Sequence, residues 1–385
     1  MIVFETKALK KFLVDMIGPR IALEHVNEAA YNMLAVRQPP ATLMALRNEC
    51  GERLQAAVPD LDPGMRSIGL FDYMTRCLLG RYWRLDQDRL DWCFERMQAY
   101  SKVYKADSFK DDPYYRDIRF EKRDIGNGLE LGYSRMFAYE PFAYSAAAFD
   151  PEYLIDVPAL GCLDARLDYP CVRNISTGGE HINVMPNYIT AAREETEKAH
   201  GKVLALGAGM GYFAYLASLN DNVESVTVMD ANPLALEIFQ GEILPLMPTK
   251  DEIYIESGAY LDYLENIEKS DYDYVFVDFW CGSSDLELYM KIKDIDRKKP
   301  EIEFAYWNES MHIRFLQQYL VMYSISVMMP DHPGPDNLSE VVDKRMLDYV
   351  AAITEDCAVK SPEDLKSLVS EENILKLMAE RHVPF

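Results

Sequence analysis

The feature that most constrains this chain is a glycine-rich turn between an apolar run and a helix-like pattern. Residues 203–218 read VLALGAGMGYFAYLAS, with Gly207, Gly209 and Gly211 at alternate positions. Glycine lets the backbone turn tightly, and the missing Cβ lets a ligand approach the main-chain N–H groups where the helix begins. The stretch therefore predicts a buried strand, a tight turn and a helix in succession.

The glycines can be aligned with a dinucleotide-binding fingerprint in two ways. Counted from Gly209, they satisfy GxGxxG/A with Ala214 in the last position, but Gly207 and Ala208 then separate the fingerprint from its strand. Counted from Gly207, they follow the strand directly, but Tyr212 stands where the dinucleotide pattern needs glycine. The second register fits the strand better, so the pattern disfavours an NAD-dependent dehydrogenase.

After this turn, short apolar runs alternate with helical patterns, as expected for βαβ units on a parallel sheet. SVTVMD at 225–230 predicts a second strand ending in Asp230, and a carboxylate there can accept both ribose hydroxyls of a nucleoside. A third strand at 253–256 leads into a turn at 257–259, and DYDYVFVDFW predicts a fourth strand that ends in Asp278. Because ligands of open α/β sheets bind outside the carboxyl ends of the strands, we expect these positions at one edge.

The motifs VLALGAGMG, VTVMDANP, the turn after the third strand and YDYVFVD resemble, in order and spacing, those of class I S-adenosylmethionine-dependent methyltransferases. The resemblance covers residues 184–310 and implies a Rossmann-like α/β fold with S-adenosyl-L-methionine as the cofactor. By the family's pattern, the glycine turn carries the methionine and ribose side, Asp230 holds the ribose hydroxyls, and residues after the second and third strands contact adenine. The cofactor-binding residues it implies, with two from the preceding segment HINVMPNYITAAREE, are Gly207, Ala208, Gly209, Gly211, Asp230, Ala231, Gly258, Ala259, Asn187 and Tyr188.

Three features depart from the family's pattern. The family usually has an acid two residues before the first glycine, where it orients the methionine end of the cofactor, whereas this chain has Ala205. Met210 occupies a position that is more often small or hydroxylated. After a fifth strand predicted at 302–307 the pattern is only helical, whereas the family's sheet normally ends in an antiparallel hairpin. Because of these features, a second hypothesis is that the protein is a non-enzymatic scaffold built on a degenerate cofactor-binding fold.

Asp278 and the two aromatic residues after it are the candidates for catalysis and substrate binding. Methyl transfer requires mainly that nucleophile and methyl group are held in line and that water is excluded. Asp278 would act as a base or orient an amine, while Phe279 and Trp280 would line the substrate pocket or stack on a flat or cationic group. The alternative is that Asp278 caps the next helix and that both aromatic residues belong to the core. The six histidines show no HxxxH or HxH spacing, so no metal site is expected.

The chain divides into four predicted stretches that differ in their hydrophobic periodicity and turn residues. The first has apolar residues at three- and four-residue spacing, and the second has an Asn-Gly turn followed by alternating aromatic residues. The last begins with PDHPGPDN and contains a predicted helix with Ser361 as N-cap and Pro362 as its first residue. The stretches are a helical N-terminal region (1–117), a β-rich insert or linker domain (118–183), a Rossmann-like cofactor-binding domain (184–330) and a helical C-terminal tail (331–385).

A formal net charge of −23 at pH 7 restricts the partners. Affinity for nucleic acid comes largely from Lys and Arg, so a nucleic-acid substrate is disfavoured and a cationic or neutral one is favoured. No run of roughly 18 uncharged apolar residues is present, so no membrane span is expected. The amino-terminal residues do not resemble a signal peptide, and the seven cysteines lack a CxxC pair, so we expect reduced thiols and a cytoplasmic location.

The leading hypothesis is a methyltransferase that acts on a small molecule or on a protein group, with the first two stretches shaping access to the substrate. An aminopropyltransferase is the second enzymatic possibility, because those enzymes resemble the same cofactor fold and use an acid after the fourth strand on a polyamine. This chain lacks the fuller acidic motif that such enzymes have after that strand. The residues do not identify the methyl acceptor, and they predict no oligomeric state.

Overall fold

The computed structural model describes residues 1–80, 87–145, 148–279, 285–328, 344–381, 383 and 385. Trp280, a predicted substrate-binding residue, and the start of the predicted tail at 331 lie outside the described residues. The helices and strands of the first 117 residues are β1 (Ile2–Val3), α1 (Lys7–Ala35), α2 (Pro40–Ala57), α3 (Pro63–Leu79), α4 (Gln87–Gln98), β2 (Lys102–Tyr104), α5 (Asp107–Lys110) and α6 (Pro113–Asp117).

The prolines of the N-terminal region mark where its helices begin. Pro40, Pro63 and Pro113 are the first residues of α2, α3 and α6. Proline suits this position because the first helical N–H has no intrahelical partner and the ring presets the helical φ. Besides these helices, the region contains the short strands β1 and β2, which pair with strands far along the chain. Among the described residues, no helix is long and apolar enough to cross a bilayer.

The β-rich segment folds into small sheets whose strands are mostly antiparallel. Its strands are β3 (Arg123–Gly126), β4 (Leu129–Met136), β5 (Phe142–Ala143), β6 (Ala148–Asp150), β7 (Ile155–Val157), β8 (Leu160–Leu163), β9 (Leu167–Asn174) and β10 (Glu180–Asn183). The largest sheet has the order β10-β9-β4-β3. Asn127 and Gly128 join β3 to β4 with φ of 53° and 72°, so the predicted Asn-Gly hairpin turn is confirmed.

The third stretch forms a five-stranded parallel sheet in the order β13-β12-β11-β14-β15. Its elements are α7 (Pro186–Lys198), β11 (Gly201–Leu206), α8 (Tyr212–Ser218), β12 (Val223–Asp230), α9 (Pro233–Ile238), β13 (Ile253–Ser257), α10 (Tyr260–Asn266), β14 (Tyr274–Val277), α11 (Leu286–Lys298), β15 (Glu303–Tyr306) and α12 (Glu309–Met328). A π-helical turn (Phe239–Ile243) and two 3-10 turns (Leu244–Leu246 and Lys250–Glu252) lie between α9 and β13. The strand order is that of a Rossmann-like doubly wound sheet, and the five predicted strands are confirmed.

Both faces of this sheet are covered, which explains why its strands are continuously apolar. Val203 and Ala205 of β11 belong to one hydrophobic core, which includes residues of α7 and α8. Leu204 and Leu206 belong to a second core, which includes residues of α10, α11 and α12. The chain order reverses between β11 and β14, the position at which open α/β sheets bind ligands. After β15 the described chain enters α12 rather than a hairpin, as the sequence predicts.

The C-terminal tail packs against the second core of the sheet. Its elements are α13 (Lys344–Ile353), β16 (Ala358–Val359), α14 (Pro362–Leu368) and α15 (Glu371–Glu380). Ser361 caps α14 and forms a capping box with Asp364, so the predicted helix start is confirmed. β16 pairs in parallel with β1, which brings the two ends of the chain together.

The hydrophobic cores extend across the predicted domain boundaries. Tyr114, Leu131 and Phe276 share one core, although the sequence assigns them to three different stretches. Leu13 of α1 belongs to the second core, together with residues of the tail. The division into four domains therefore stays a prediction. The hydrophobic cores contain residues from more than one of the four stretches.

Candidate cofactor and active site

The glycine turn lies between β11 and α8 at the carboxyl edge of the sheet. Gly207, Gly209 and Gly211 have φ of 101°, 47° and 71°, conformations that residues with a Cβ rarely adopt. A Cβ on Gly207 would overlap the main-chain carbonyl of Asp278, and one on Gly211 would lie 2.5 Å from the ring of Phe239. Gly209 faces open space, because no atom of the described residues lies within 4 Å of the position that a Cβ would take. The turn therefore requires glycine for two close approaches and leaves its middle residue accessible.

Asp230 is the last residue of β12, and its carboxylate accepts hydrogen bonds from residues that follow the ends of β11, β12 and β13. Its Oδ2 accepts a hydrogen bond from the main-chain N–H of Ala208 at 2.9 Å, and its Oδ1 accepts from the N–H of Asn232 at 2.8 Å. The hydroxyl of Tyr260 also donates to Oδ1, at 2.8 Å. With 7% of its surface exposed, Asp230 is not a surface acid, and Asn232 rather than Asp230 caps α9. The carboxylate thus lies beside the glycine turn, and both of its oxygens accept hydrogen bonds from the chain itself.

Tyr260 and Phe279 form an aromatic pair over this edge. Their rings are parallel, with centroids 3.9 Å apart and 6° between the planes. Tyr260 is the first residue of α10, and Phe279 follows the end of β14 by two positions. Phe279, predicted to line the substrate pocket, therefore packs on a tyrosine that the sequence did not single out.

Asp278 directly follows β14 and contacts β11 through its backbone. Its main-chain N–H donates to the carbonyl of Leu206 at 2.8 Å, and its Oδ2 accepts a hydrogen bond from the hydroxyl of Tyr188. Burial raises the pKa of Asp278 to about 7, the hydrogen bond from Tyr188 opposes that rise, and the negative charge of Asp230 adds to it. The N-cap position of α11 is Asp285, seven residues after Asp278.

Tyr188 connects Asp278 to an aromatic cluster. Its ring stacks on Trp307 with centroids 5.5 Å apart and meets Tyr212 edge-on at 5.6 Å. Burial and the contact with Asp278 raise the pKa of Tyr188 well above its ordinary value, so its hydroxyl stays protonated and donates. The structure therefore places the hydroxyl of Tyr188 against the carboxylate of Asp278, the candidate base.

Asp112 is a buried acid next to this cluster that the sequence did not single out. It is 3% exposed and accepts hydrogen bonds from the hydroxyl of Tyr212 at 2.9 Å and from the guanidinium of Arg193 at 3.0 Å. Its other oxygen caps α6 by accepting from the N–H of Tyr114 at 3.0 Å. The hydrogen bond from Tyr212 to Asp112 joins residues 100 positions apart, so no local sequence pattern indicates it.

The remaining predicted cofactor residues lie at the rim of the same edge. Ala231, Gly258 and Ala259 are exposed. The last two also line a cavity of about 700 Å³ beside α10. Asn187 lies on a different side from Tyr188: it lines a cavity of about 570 Å³ shared with Arg37 and Glu140, and its buried side-chain oxygen has no hydrogen-bond partner among the described residues.

The residues at this edge fit an adenosyl cofactor with one obstruction. The open side of Gly209 and the exposed Ala231 and Gly258 leave room around the turn. The obstruction is the hydroxyl of Tyr260, which contacts the carboxylate expected to hold the ribose. Ala205 is 3% exposed within the core, where the family has its acid. Within the described parts of the chain, no cluster of His, Cys, Asp and Glu could hold a metal ion.

Comparison with known proteins gives partial structural likenesses. No protein-family model matches the sequence, and no curated protein matches it. A spermidine synthase from Thermotoga maritima is similar over 38% of this chain and 58% of its own length, with 13% identity and a TM-score of 0.28.

Two methyltransferases of known structure are also similar to part of the chain. A putative sarcosine dimethylglycine methyltransferase from Galdieria sulphuraria has 14% identity over 42% of this chain and 77% of its own, with a TM-score of 0.24. A tRNA methyltransferase from B. subtilis has 11% identity over 49% of this chain and 100% of its own, with a TM-score of 0.29. The chain spans about three fifths of the length of the spermidine synthase.

Proposed function

We propose that this protein is an S-adenosylmethionine-dependent methyltransferase whose acceptor is a small molecule or a protein group with an ionisable nucleophile. One observation carries the proposal. The glycine turn, Asp230 and Asp278 come from three adjacent strands and meet at the switch point of the parallel sheet, where Asp230 is hydrogen-bonded to the turn.

The residues that would hold the cofactor are those with matching chemistry at this edge. The main chain of the glycine turn would receive the methionine and ribose side, Asp230 the ribose hydroxyls, and Ala231 with Gly258 the adenine. When bound there, S-adenosyl-L-methionine supplies a methyl group on an activated sulfonium.

Asp278 is the group of this chain that would move a proton. A carboxyl with a pKa near 7 is partly ionised at neutral pH, which suits a general base. A carboxylate oxygen of Asp278 would take the proton that the acceptor nitrogen or oxygen releases. The Tyr188 hydroxyl donates to Oδ2 and so fixes the orientation of that carboxylate. The rings of Tyr260 and Phe279 lie stacked at this edge.

The proposal is tested by methyl transfer from labelled cofactor to fractionated pools of metabolites and proteins. We expect a labelled product with the wild type and a loss of at least about 100-fold with Asp278→Asn, the range typical of a missing general base. Glu224→Gln is the matched control, because it neutralises an exposed acid at the opposite end of β12. Cofactor binding without transfer to any pool would contradict a methyltransferase.

Aminopropyl transfer is a second candidate, and the charge of the chain favours it. A polyamine acceptor is cationic, and the net charge of −23 would attract it. Asp278 could take the proton of an attacking amine in this reaction as well. Tighter binding of decarboxylated S-adenosylmethionine than of the carboxylated form would favour this candidate, and the reverse order would exclude it.

A further inference from the structure

The aromatic pair at the sheet edge makes the two kinds of contact that a bound nucleoside would need. The Tyr260 ring lies flat on Phe279, at 3.9 Å between centroids. Its hydroxyl donates to the carboxylate of Asp230 at 2.8 Å. A nucleoside in a doubly wound sheet likewise donates its ribose hydroxyls to the acid that ends the second strand, and its base is flat and can stack.

The position of Tyr260 in the chain explains how one side chain reaches both partners. It follows Gly258 and Ala259, the residues expected beside adenine, and Ala259 is the N-cap of α10. Its side chain extends from the end of the third strand toward the ends of the second and fourth. Burial and the adjacent charge of Asp230 raise the pKa of Tyr260 above its ordinary value, so it stays a protonated donor.

We propose that Tyr260 is an internal gate that occupies the nucleoside part of the cofactor site in the free protein. This inference rests on the proposed function and adds a control of cofactor affinity to it. A nucleoside can reach Asp230 and the covered face of Phe279 only when the Tyr260 side chain turns away. The apparent affinity for the cofactor is then the intrinsic affinity reduced by the fraction of molecules in which the gate is open.

If Tyr260 is such a gate, substitutions that remove its hydroxyl or its ring should strengthen cofactor binding, whereas substitutions in a binding site usually weaken it. Tyr260→Phe keeps the ring but removes the hydroxyl from Asp230, and a hydrogen bond to a charged group corresponds to about tenfold or more in an equilibrium. We therefore expect Tyr260→Phe to bind S-adenosylhomocysteine about tenfold more tightly than the wild type. Tyr260→Ala also uncovers Phe279 and should bind at least as tightly as Tyr260→Phe.

The experiment is isothermal titration calorimetry of S-adenosylhomocysteine into the full-length wild type and both variants. Tyr254→Phe is the matched control, because Tyr254 is 58% exposed on β13 and its substitution should leave the affinity unchanged. Circular dichroism melting curves confirm that each variant is folded, and Tyr260→Phe provides a conservative variant should the alanine variant be unstable.

The outcomes separate the gate from the function on which it rests. A gain in affinity for both Tyr260 variants, with none for Tyr254→Phe, supports the gate. If the wild type binds and the Tyr260 variants bind equally well or more weakly, the gate is overturned. The cofactor site would remain supported, because Tyr260 would then contribute to binding the cofactor. Folded wild type and variants that all fail to bind would overturn the cofactor site and the gate together.

Discussion

Alanine at Gly207 would test the glycine turn by adding a single methyl group. The φ of 101° at this residue is strained for any side chain, and the methyl would overlap the main-chain carbonyl of Asp278. The N–H of Asp278 is hydrogen-bonded to Leu206 at 2.8 Å, so the carbonyl cannot withdraw without disturbing the ends of β11 and β14.

The magnitude follows from two costs. A residue other than glycine in a disfavoured backbone conformation costs about 1–3 kcal/mol. Forcing a methyl group into a packed site costs about 1–3 kcal/mol more. We therefore expect Gly207→Ala to lower the free energy of unfolding by about 2–6 kcal/mol, measured by urea denaturation followed by circular dichroism.

Gly209→Ala is the matched control within the same turn. Its φ is 47° and no described residue lies within 4 Å of the added Cβ, so only the left-handed backbone cost of about 1–2 kcal/mol applies. If the two variants lost the same free energy of unfolding, the close approach of β11 and β14 at Gly207 would be refuted.

Three further substitutions test the surroundings of the site. Asp278 keeps its proton in the folded state up to about pH 7, whereas the unfolded chain releases it near pH ~4, so the free energy of unfolding should fall as pH rises through that window. Tyr188→Phe removes the hydrogen bond that favours the ionised form of Asp278, so the fall in the free energy of unfolding should extend to higher pH. Urea denaturation at a series of pH values measures this, and a pH dependence identical to that of the wild type would contradict it. Asp112→Asn removes the buried charge that holds Arg193 and should cost about 1–3 kcal/mol in the same assay at pH 7, whereas a loss below about 0.5 kcal/mol would show that the ion pair is unimportant. Phe213→Ala removes a ring that is 3% exposed and should cost about 3–5 kcal/mol, and a smaller cost would mean that the core beside the sheet collapses to fill the gap.

The framework of the site was predictable because its signals are local. The strand that ends before Gly207, the strand that ends in Asp230 and the strand before Asp278 are each short apolar runs bounded by turn residues. Parallel strands place their carboxyl ends at one edge, so three local patterns were sufficient to bring these residues together. The hairpin turn at Asn127 and the N-cap at Ser361 were predictable for the same reason.

The contacts that tune the site were not predictable, because they join residues far apart in the sequence. Tyr188 and Asp278 are 90 positions apart, and nothing in either local pattern indicates their hydrogen bond. Tyr260 reads locally as an ordinary helix residue after a turn, although it reaches Asp230 at a distance of 30 positions. The strand β1 had no signal of its own, since two residues form a strand only when a partner is present. Side-chain packing of this kind depends on the assembled fold.

Binding of the adenosyl cofactor is the claim on which the account depends, and calorimetry with S-adenosylhomocysteine tests it most directly. The wild type should bind with saturable heat, NADH should not bind, and Asp230→Asn should lose most of the affinity while Glu224→Gln keeps it. Asp230→Asn is chosen because it keeps the shape of the buried side chain and removes its charge. Absence of binding to both the folded wild type and Tyr260→Phe, or equal binding by Asp230→Asn, would contradict an adenosyl-cofactor site at the glycine turn.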